Sequence, residues 1–391
     1  MSVYDTRYPA ISDLRELAKK RLPCFVFEYV DAAVDEEIGK HRNREALHEV
    51  ELTPRYLRDV SRVDLAVDLF GKSYSMPFGV PPVGLGNLIW PGAESVLARA
   101  CQQAAIPYIQ SLFSTTLLED IPQLAPDVCW FQLYVPRDER VMEDLISRVR
   151  KAGFHVLVVT IDVPVGAKRN RELKNGLKLP FQITPAVLWH CLIHPRWTMQ
   201  TIKAGMPGLV NIMPYADKAV NDGLASFFTQ FIMPGVTRER LGRIRELWDG
   251  PLVIKGIQHP QDALDVREIG VDGLIVSNHG GRQIDAAPAS ISSLRRLPKS
   301  LADDLTIMID SGIRSGLDVL RAKALGAVCA FSGRSFFYGM GALGAAGAQQ
   351  VIGIFEDEIR RSLQQLGCSR FSELDDRWLS CNDLQSIKPS D

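Results

Sequence analysis

Short apolar runs recur along the chain, and each ends in glycine or in a cluster of polar residues. Most of them consist of Val, Ile, Leu and aromatic residues, which is typical of parallel strands buried on both faces. We predict strands at 76–82, 107–111, 129–134, 155–161, 252–256, 273–277, 306–310 and 328–332. Amphipathic stretches of helical period separate most of them, at 93–104, 138–152, 260–269 and 314–325. Eight such units predict a (β/α)8 TIM barrel of the α/β class rather than an open Rossmann sheet, which has fewer strands.

The rest of the chain is arranged around this barrel. At ~150 residues per domain its length would allow two or three domains, but the strand pattern accounts for it as one. We predict a single domain over 1–391, with an N-terminal helical cap over 1–75 and a barrel over 76–340. The barrel includes a long insertion after strand four, over 163–250, and 341–391 forms a C-terminal helix and tail.

Composition excludes several classes of protein. The formal net charge is −1 and the pI is about 6.7, so the chain lacks the basic footprint of a nucleic-acid partner. Seven cysteines without CxxC or CxxH spacing indicate buried thiols in a reducing compartment, with neither disulfides nor a metal. No secretory signal and no run of ~18 apolar residues are visible, so we expect a cytoplasmic protein.

Polar residues follow six of the predicted strands, where a barrel places its chemistry. His279 follows the sixth strand in SNHGGRQ, and Arg282 lies three residues later. A base beside a guanidinium suits an anionic substrate, because the arginine holds a carboxylate while the histidine takes a proton. Asp162, after the fourth strand, is expected to orient the imidazole. A purely structural histidine is the alternative.

The loops after the seventh and eighth strands, DSGIRSG and SGR, carry glycine, serine and arginine ahead of helices. Backbone N–H groups at such positions bind anions, and barrels often bind phosphate there. We therefore expect Arg314 and Arg334 to clamp a phosphate, although ordinary turns with solvated arginines would have the same composition. Lys255, at a buried strand end, needs an anionic partner, either a flavin N1–C2=O edge or a structural ion pair.

SNHGGRQ, VIKG, FQLY, DSGIRSG and the T-x-D of strand four together resemble the FMN-dependent 2-hydroxy acid dehydrogenase/oxidase family, with closest similarity to its mandelate and membrane L-lactate dehydrogenase branches. The resemblance implies that FMN oxidises an (S)-2-hydroxy acid to the 2-oxo acid and that a membrane quinone or another acceptor takes the electrons. A 2-hydroxy acid oxidase using O2 and giving H2O2 is the alternative. A non-catalytic flavin-binding barrel is the third possibility.

The resemblance also implies a role for each site residue. His279 is the base, for either the hydroxyl proton or the α-proton, and Asp162 supports it. The implied substrate-binding residues are Tyr29, Tyr134, Arg169, His279 and Arg282. The implied FMN-binding residues are Pro82, Val83, Gly84, Ser111, Gln132, Thr160, Lys255, Ser277, Asp310, Gly312, Arg314, Gly333 and Arg334. Gly84 stands where many of the oxidases have alanine, which favours a dehydrogenase, and Arg169-Asn170-Arg171-Glu172 replaces the R-E-R-D of mandelate dehydrogenase.

The segment 176–215 resembles the membrane-docking segment of these enzymes. Its Trp189 and Trp197, aliphatic residues and bases suit a peripheral contact with the inner face of the cytoplasmic membrane. A soluble lid and an oligomer contact are the alternatives. The resemblance further implies a homo-oligomer, expected to be a tetramer.

Overall fold

The computed structural model describes residues 4–175, 184–215 and 231–380. Its N-terminal part consists of α1 (Ile11–Arg21), α2 (Cys24–Asp31), α3 (Ile38–His48), β1 (Val67–Leu69) and β2 (Lys72–Tyr74). Helix therefore ends at His48, and an antiparallel hairpin follows in the segment that we predicted to be helical. The cause is visible over 63–69, where apolar residues alternate with Asp and Ala at the period of a strand.

Eight parallel strands form a barrel whose neighbours follow the order β3-β10-β9-β8-β7-β6-β5-β4. They are β3 (Phe78–Gly79), β4 (Tyr108–Ser111), β5 (Cys129–Tyr134), β6 (Val156–Thr160), β7 (Leu252–Ile257), β8 (Gly273–Val276), β9 (Thr306–Ile309) and β10 (Cys329–Phe331). A parallel bridge between Val80 and Tyr108 joins the first of these strands to the second and closes the barrel. The predicted (β/α)8 barrel is thus confirmed.

The hairpin covers the amino-terminal end of the barrel, away from the predicted site. The ring of Phe70, at its turn, packs against Trp130 near the start of β5, with ring centroids 5.5 Å apart. The imidazole of His155, just before β6, is hydrogen-bonded to the carbonyl oxygen of Phe70 at 2.8 Å. Gly273 starts β8 without a side chain, because a Cβ atom there would lie 2.8 Å from the Phe70 ring. The hairpin therefore lies at the opposite end of the barrel from His279, which follows the carboxyl end of β8.

Helices surround the barrel. They are α4 (Gly86–Ile89), α5 (Ala93–Ala104), α6 (Ile121–Leu124), α7 (Glu139–Ala152), α8 (Asn170–Lys174), α9 (Pro185–Ile193), α10 (Pro195–Ala204), α11 (Arg238–Leu247), α12 (Pro260–Glu268), α13 (Ser290–Arg296), α14 (Leu301–Asp304), α15 (Gly316–Ala324), α16 (Gly333–Leu343) and α17 (Ala346–Leu366). Side chains at several N-termini accept backbone N–H bonds: Asp138 caps α7, and Ser315 forms a capping box with Asp318 at α15.

The C-terminal helix is shorter than we predicted. Gly344 has a φ of 62° and ends α16, so the closing helix begins at Ala346 instead of near residue 341. Gly347 then packs directly on Gly339, where a Cβ atom would overlap the carbonyl oxygen. The glycines of this segment therefore make one chain reversal and one close helix–helix contact.

The insertion packs on the barrel through one of its two tryptophans. Trp197 is 5% exposed, and its Nε1 donates a hydrogen bond to the Leu88 carbonyl at 3.0 Å. Its ring also meets that of Phe25 edge to face at 5.8 Å. The expectation that Trp197 belongs to an exposed patch is wrong, because the indole anchors α10 to α2 and α4. Trp189 is 62% exposed, and residues 176–183 of the predicted segment lie outside the described residues.

No helix among the described residues is both long and apolar enough to cross a membrane.

A buried ion-pair network joins the cap helices to the insertion. Asp31 is 1% exposed and lies 2.7 Å from Arg15, 3.1 Å from Arg171 and 3.5 Å from Lys40. It also accepts a hydrogen bond from the Tyr338 hydroxyl at 2.6 Å. Burial alone would raise the pKa of Asp31, but Arg15, Lys40 and Tyr338 hold it well below its usual range.

We expect Asp31→Asn to lower the free energy of unfolding by about 3 kcal/mol at pH 7, because it leaves buried cations without their partner. The folded-state pKa lies below the unfolded value of about 3.9, so the ionised carboxylate stabilises the fold above that pH, and the contribution is lost as the pH falls. Urea unfolding at pH 7 and pH 3.5 should therefore show a smaller difference between the variant and wild type at the lower pH. An equal difference at both pH values would contradict this linkage.

Candidate active site

The loop after β8 holds His279 in a strained conformation at the mouth of the barrel. His279 has a φ of 57°, and Gly280 and Gly281 follow with φ of 69° and 71°. The backbone N–H of His279 donates to Ser277 Oγ at 3.0 Å, and that of Gly280 donates to Ser311 Oγ at 2.8 Å. A left-handed non-glycine residue costs free energy and persists where surrounding contacts determine it. This one turns the imidazole toward the end of β6.

His279 is paired with Asp162. Its Nδ1 lies 2.9 Å from Asp162 Oδ1, so the hydrogen on Nδ1 is donated to the carboxylate. Burial would raise the pKa of Asp162, but His279 and Lys255 hold it below its ordinary value, and the carboxylate stays ionised. A Cβ atom at Gly256 would lie 2.6 Å from Asp162 Cβ, so glycine after the lysine makes room for the pair.

A second buried ion pair lies beside the first. Lys255 Nζ is 2.9 Å from Asp310 Oδ2 and donates to Ser277 Oγ at 2.8 Å. Burial would lower the pKa of Lys255, but Asp310 and Asp162 raise it above its ordinary value. The lysine is therefore a fixed cation between two carboxylates. The ion pair that we expected as one alternative is present, and contact with a flavin edge stays a prediction.

Two arginines and two tyrosines come together above these pairs. Arg282 donates to the carbonyl oxygens of Tyr29 at 3.0 Å and Ala32 at 2.8 Å, so it is tied to the cap, and its guanidinium lies 5.6 Å from the centre of the Tyr29 ring. The Tyr29 hydroxyl donates to the Gly84 carbonyl at 2.8 Å. Burial raises the pKa of Tyr29 to about 12, against the lowering effect of Arg282 and Arg169.

Tyr134 ends β5 and faces the same groups. Burial raises its pKa above the ordinary value, and Asp162 adds to the effect, while Arg169 and Arg282 oppose it. Its ring packs against Phe113 with centroids 4.8 Å apart. Both tyrosine hydroxyls are therefore neutral hydrogen-bonding groups at neutral pH.

Unpartnered buried polar atoms line the ends of β5 and β6. Gln132 Oε1 accepts from Ser111 Oγ at 3.0 Å, but Gln132 Nε2 and Thr160 Oγ1 have no hydrogen-bond partner among the described residues. Buried polar groups without partners are costly and rare. Carbonyl and ring-nitrogen acceptors on a planar ligand would satisfy them, which fits an isoalloxazine ring.

Two buried arginines lie on the side of β9 and β10. Burial and, to a smaller extent, the nearby Arg314 lower the pKa of Arg334 to about 9. All three nitrogens of Arg334 donate to carbonyl oxygens, those of Val30 at 3.0 Å, Gly280 at 2.9 Å and Ala32 at 2.9 Å. An anion here would relieve the repulsion between the two guanidinium groups.

Glycines leave space beside these arginines. Gly333 is the first residue of α16, an eleven-residue helix whose first N–H groups favour anions. A Cβ atom at Gly333 would lie 3.3 Å from Pro81 and 3.4 Å from Val83, so the loops after β3 and β10 approach each other there. Gly312 has a φ of 89°, which a larger side chain would rarely adopt. Together with the arginines, this cradle fits the phosphate of FMN.

Some residues of the site carried no interpretable signal in the sequence. Glu172 lies 2.8 Å from Arg282 and 3.5 Å from Arg169, although in the sequence it stands out only as a departure from R-E-R-D. Asn278 and Asn43 exchange amide hydrogen bonds at 2.8 and 2.9 Å, which ties α3 to the His279 loop. Asn278 lies inside SNHGGRQ, but nothing in the sequence indicates that Asn43 is its partner.

Comparisons with known proteins agree with this geometry. The sequence model described as FMN-dependent dehydrogenase matches residues 18–381. An L-lactate dehydrogenase of Acinetobacter baylyi is 36% identical over 94% of this chain and 96% of its own length. The (S)-mandelate dehydrogenase of Pseudomonas putida is 34% identical over 97% of this chain and 96% of its own length.

Solved structures give the same result. The crystal structure of a monotopic membrane protein, (S)-mandelate dehydrogenase, superposes with a TM-score of 0.89 at 34% identity and covers 95% of this chain and 98% of that one. A mandelate oxidase superposes with a TM-score of 0.80 at 31% identity, covering 95% and 98%. The barrel, the buried ion pairs at its mouth and the match over nearly the whole chain establish that this chain belongs to the FMN-dependent dehydrogenase family.

Proposed function

We propose that this chain oxidises an (S)-2-hydroxy acid to the corresponding 2-oxo acid and passes the electrons to a membrane quinone. The observation that carries this proposal is the His279–Asp162 pair, 2.9 Å apart, with Arg282 and Arg169 beside it. The lactate and mandelate dehydrogenases similar to this chain act on 2-hydroxy acids, which supports the substrate class.

The chain's own residues supply the acid–base and binding chemistry. Nε2 of neutral His279 accepts one of the two protons that the substrate loses, and the Asp162 carboxylate stabilises the imidazolium that forms. Arg169 and Arg282 bind the substrate carboxylate, and the neutral hydroxyl of Tyr134 orients the reacting end. FMN, when bound, supplies the acceptor for the two electrons.

We assign the FMN-binding residues to three regions of the barrel mouth. Lys255, Ser277 and Asp310 form the ion-pair region, and their fixed cation suits the electron-rich edge of a flavin. The ring is assigned to Pro82, Val83, Gly84, Ser111, Gln132 and Thr160. The ribityl phosphate is assigned to Gly312, Arg314, Gly333 and Arg334.

The acceptor is assigned from Gly84. Its carbonyl holds the Tyr29 hydroxyl, and a Cβ atom at Gly84 would lie 3.0 Å from Phe113 Cβ and 3.3 Å from the Phe113 carbonyl oxygen. The loop after β4 therefore packs tightly on a glycine, where many of the oxidases have alanine. A dehydrogenase should consume substrate with a quinone and release little peroxide in air. Peroxide formed at the rate of substrate oxidation would assign the chain as an oxidase.

We expect His279→Ala to keep its FMN and to reduce it at least about 10²-fold more slowly than wild type with the same 2-hydroxy acid, because the variant lacks the base. Anaerobic stopped-flow absorbance of the purified holoenzyme measures this rate. His41→Ala, an exposed histidine on α3, is the matched control and should behave as wild type. Reduction of the His279 variant at the wild-type rate would refute the assignment of the base.

Asp162→Asn tests the pairing itself. We expect kcat to fall by about 10²- to 10⁴-fold, because an amide neither fixes the Nδ1–H tautomer nor stabilises the imidazolium. The pH profile of kcat/KM should move in the same variant, since a cationic His279 loses its carboxylate partner. An unchanged kcat with an unchanged pH profile would show that Asp162 serves only to hold the loop.

A membrane surface is the proposed location, at the inner face of the cytoplasmic membrane. The insertion exposes large apolar side chains with three exposed bases among them. The apolar residues are Leu188, Trp189, Leu192, Ile193, Met199, Ile202, Met206 and Met213, and the bases are Lys174, Arg196 and Lys203. This composition suits a helix pair lying in the interface, and the similar (S)-mandelate dehydrogenase is described as monotopic. A homotetramer is proposed from the family resemblance.

Replacing both Leu192 and Ile202 with Glu should abolish co-sedimentation with vesicles of anionic phospholipid and leave the FMN content unchanged. These side chains are 73% and 75% exposed, so the substitutions remove apolar contact with the membrane and disturb no packing. Tyr56→Glu is the matched control, because Tyr56 is equally exposed but lies in the N-terminal part, outside the insertion. This variant should bind vesicles as wild type does. Vesicle binding by the double variant at the wild-type level would refute the docking surface.

A further inference from the structure

Glu172 occupies the space between the two arginines to which the proposed function assigns the substrate carboxylate. Oε1 accepts a hydrogen bond from Arg282 at 2.8 Å, and Oε2 lies 3.5 Å from Arg169 Nη1. The carboxylate is 12% exposed, so water screens it weakly. The chain thus places an internal carboxylate beside the group that must bind an external one.

The charges of this cluster leave room for one further negative charge. Two guanidinium groups and one carboxylate sum to a single positive charge. Burial and the nearby Arg282 lower the pKa of Arg169, and Glu172 opposes that shift, so Glu172 helps to keep Arg169 charged. Arg169 Nε is buried and has no hydrogen-bond partner among the described residues, which leaves a donor for an incoming ligand.

Glu172 is held in place by its neighbours on α8. Arg171 pairs with Glu37 at 2.9 Å and with Asp31 at 3.1 Å, and it also contacts Glu28. Asn170 Nδ2 donates to the Asp35 carbonyl at 3.2 Å. These contacts join the short helix to the cap and so hold the backbone that carries Glu172 beside Arg169 and Arg282.

We propose that Glu172 determines substrate specificity by restricting the site to 2-hydroxy acids with a single carboxylate. This inference rests on the proposed function. A monocarboxylate neutralises the remaining positive charge. The second carboxylate of a 2-hydroxy dicarboxylate enters a site with no unpaired cation left and meets Glu172 at short range, where like charges repel strongly.

The test uses two probes that bind and cannot be oxidised, because neither has a hydrogen on the α-carbon. They are 2-hydroxyisobutyrate and citramalate, which differ by one carboxylate in place of a hydrogen. The dissociation constants are measured from the change in the flavin absorption spectrum of the purified holoenzyme. The variants are Glu172→Gln, which removes the charge, and Glu172→Asp, which keeps it, with Glu239→Gln, at an exposed position of α11, as the matched control.

We expect wild type to bind 2-hydroxyisobutyrate more tightly than citramalate. Glu172→Gln should reduce the dissociation constant of citramalate, divided by that of 2-hydroxyisobutyrate, by at least about tenfold. The reason is that removing one negative charge at short range favours the dianion more than the monoanion. Glu172→Asp and Glu239→Gln should keep the wild-type ratio. Each ratio compares the two probes on the same protein. A change in pocket size that affects both probes equally therefore cancels from the ratio.

The inference is overturned if the ratio stays unchanged in Glu172→Gln, or if both probes weaken by the same factor, since Glu172 would then only support the arginines. The inference would also be overturned if Glu172→Asp no longer bound 2-hydroxyisobutyrate more tightly than citramalate. Failure of the proposed function looks different: neither probe would alter the wild-type flavin spectrum, and (S)-lactate and (S)-mandelate would leave the flavin oxidised.

Discussion

The site depends on one constraint, which is that every charge buried at the mouth of the barrel must have a partner. Asp162 lies between a histidine and Lys255, and Lys255 lies between Asp162 and Asp310. Because an isolated charge in this interior would be neutralised or would destabilise the fold, the groups fix one another's ionisation states. The same arrangement holds the Asp162 carboxylate against Nδ1 of His279 and keeps Lys255 as a cation between two carboxylates.

This constraint explains why the cap and the insertion belong to the active site. The guanidinium groups of Arg282 and Arg334 donate to carbonyl oxygens of the segment 29–32, so the cap satisfies arginines that the barrel supplies. The insertion supplies Arg169 and Glu172, and Arg171 joins it to the same cap through Asp31. The residues proposed to bind the substrate therefore come from three segments far apart in the sequence, while the apolar barrel behind them provides rigid ends.

The barrel and the central residues of the site could be predicted from the sequence, because buried parallel strands leave uninterrupted apolar runs and SNHGGRQ is a specific motif. Features that depend on contacts between distant parts of the chain could not be predicted from the sequence. The burial of Trp197 depends on Phe25 and a carbonyl of α4. Glu172 has an i+3 relation to Arg169 in the sequence, but its contact with Arg282 brings together residues 110 positions apart. Roles of the individual FMN-binding residues stay predictions.

The most direct test of the central claim is an anaerobic titration of the wild-type holoenzyme with each enantiomer of lactate and of mandelate, followed by the absorbance of the flavin. We predict that an (S)-2-hydroxy acid bleaches the flavin with one equivalent of substrate per equivalent of FMN, because the arginines are assigned to the carboxylate and His279 to the proton of one and the same substrate orientation. The (R)-enantiomer should leave the spectrum oxidised. A flavin that stays oxidised with every (S)-acid, or that both enantiomers bleach equally fast, would contradict the account.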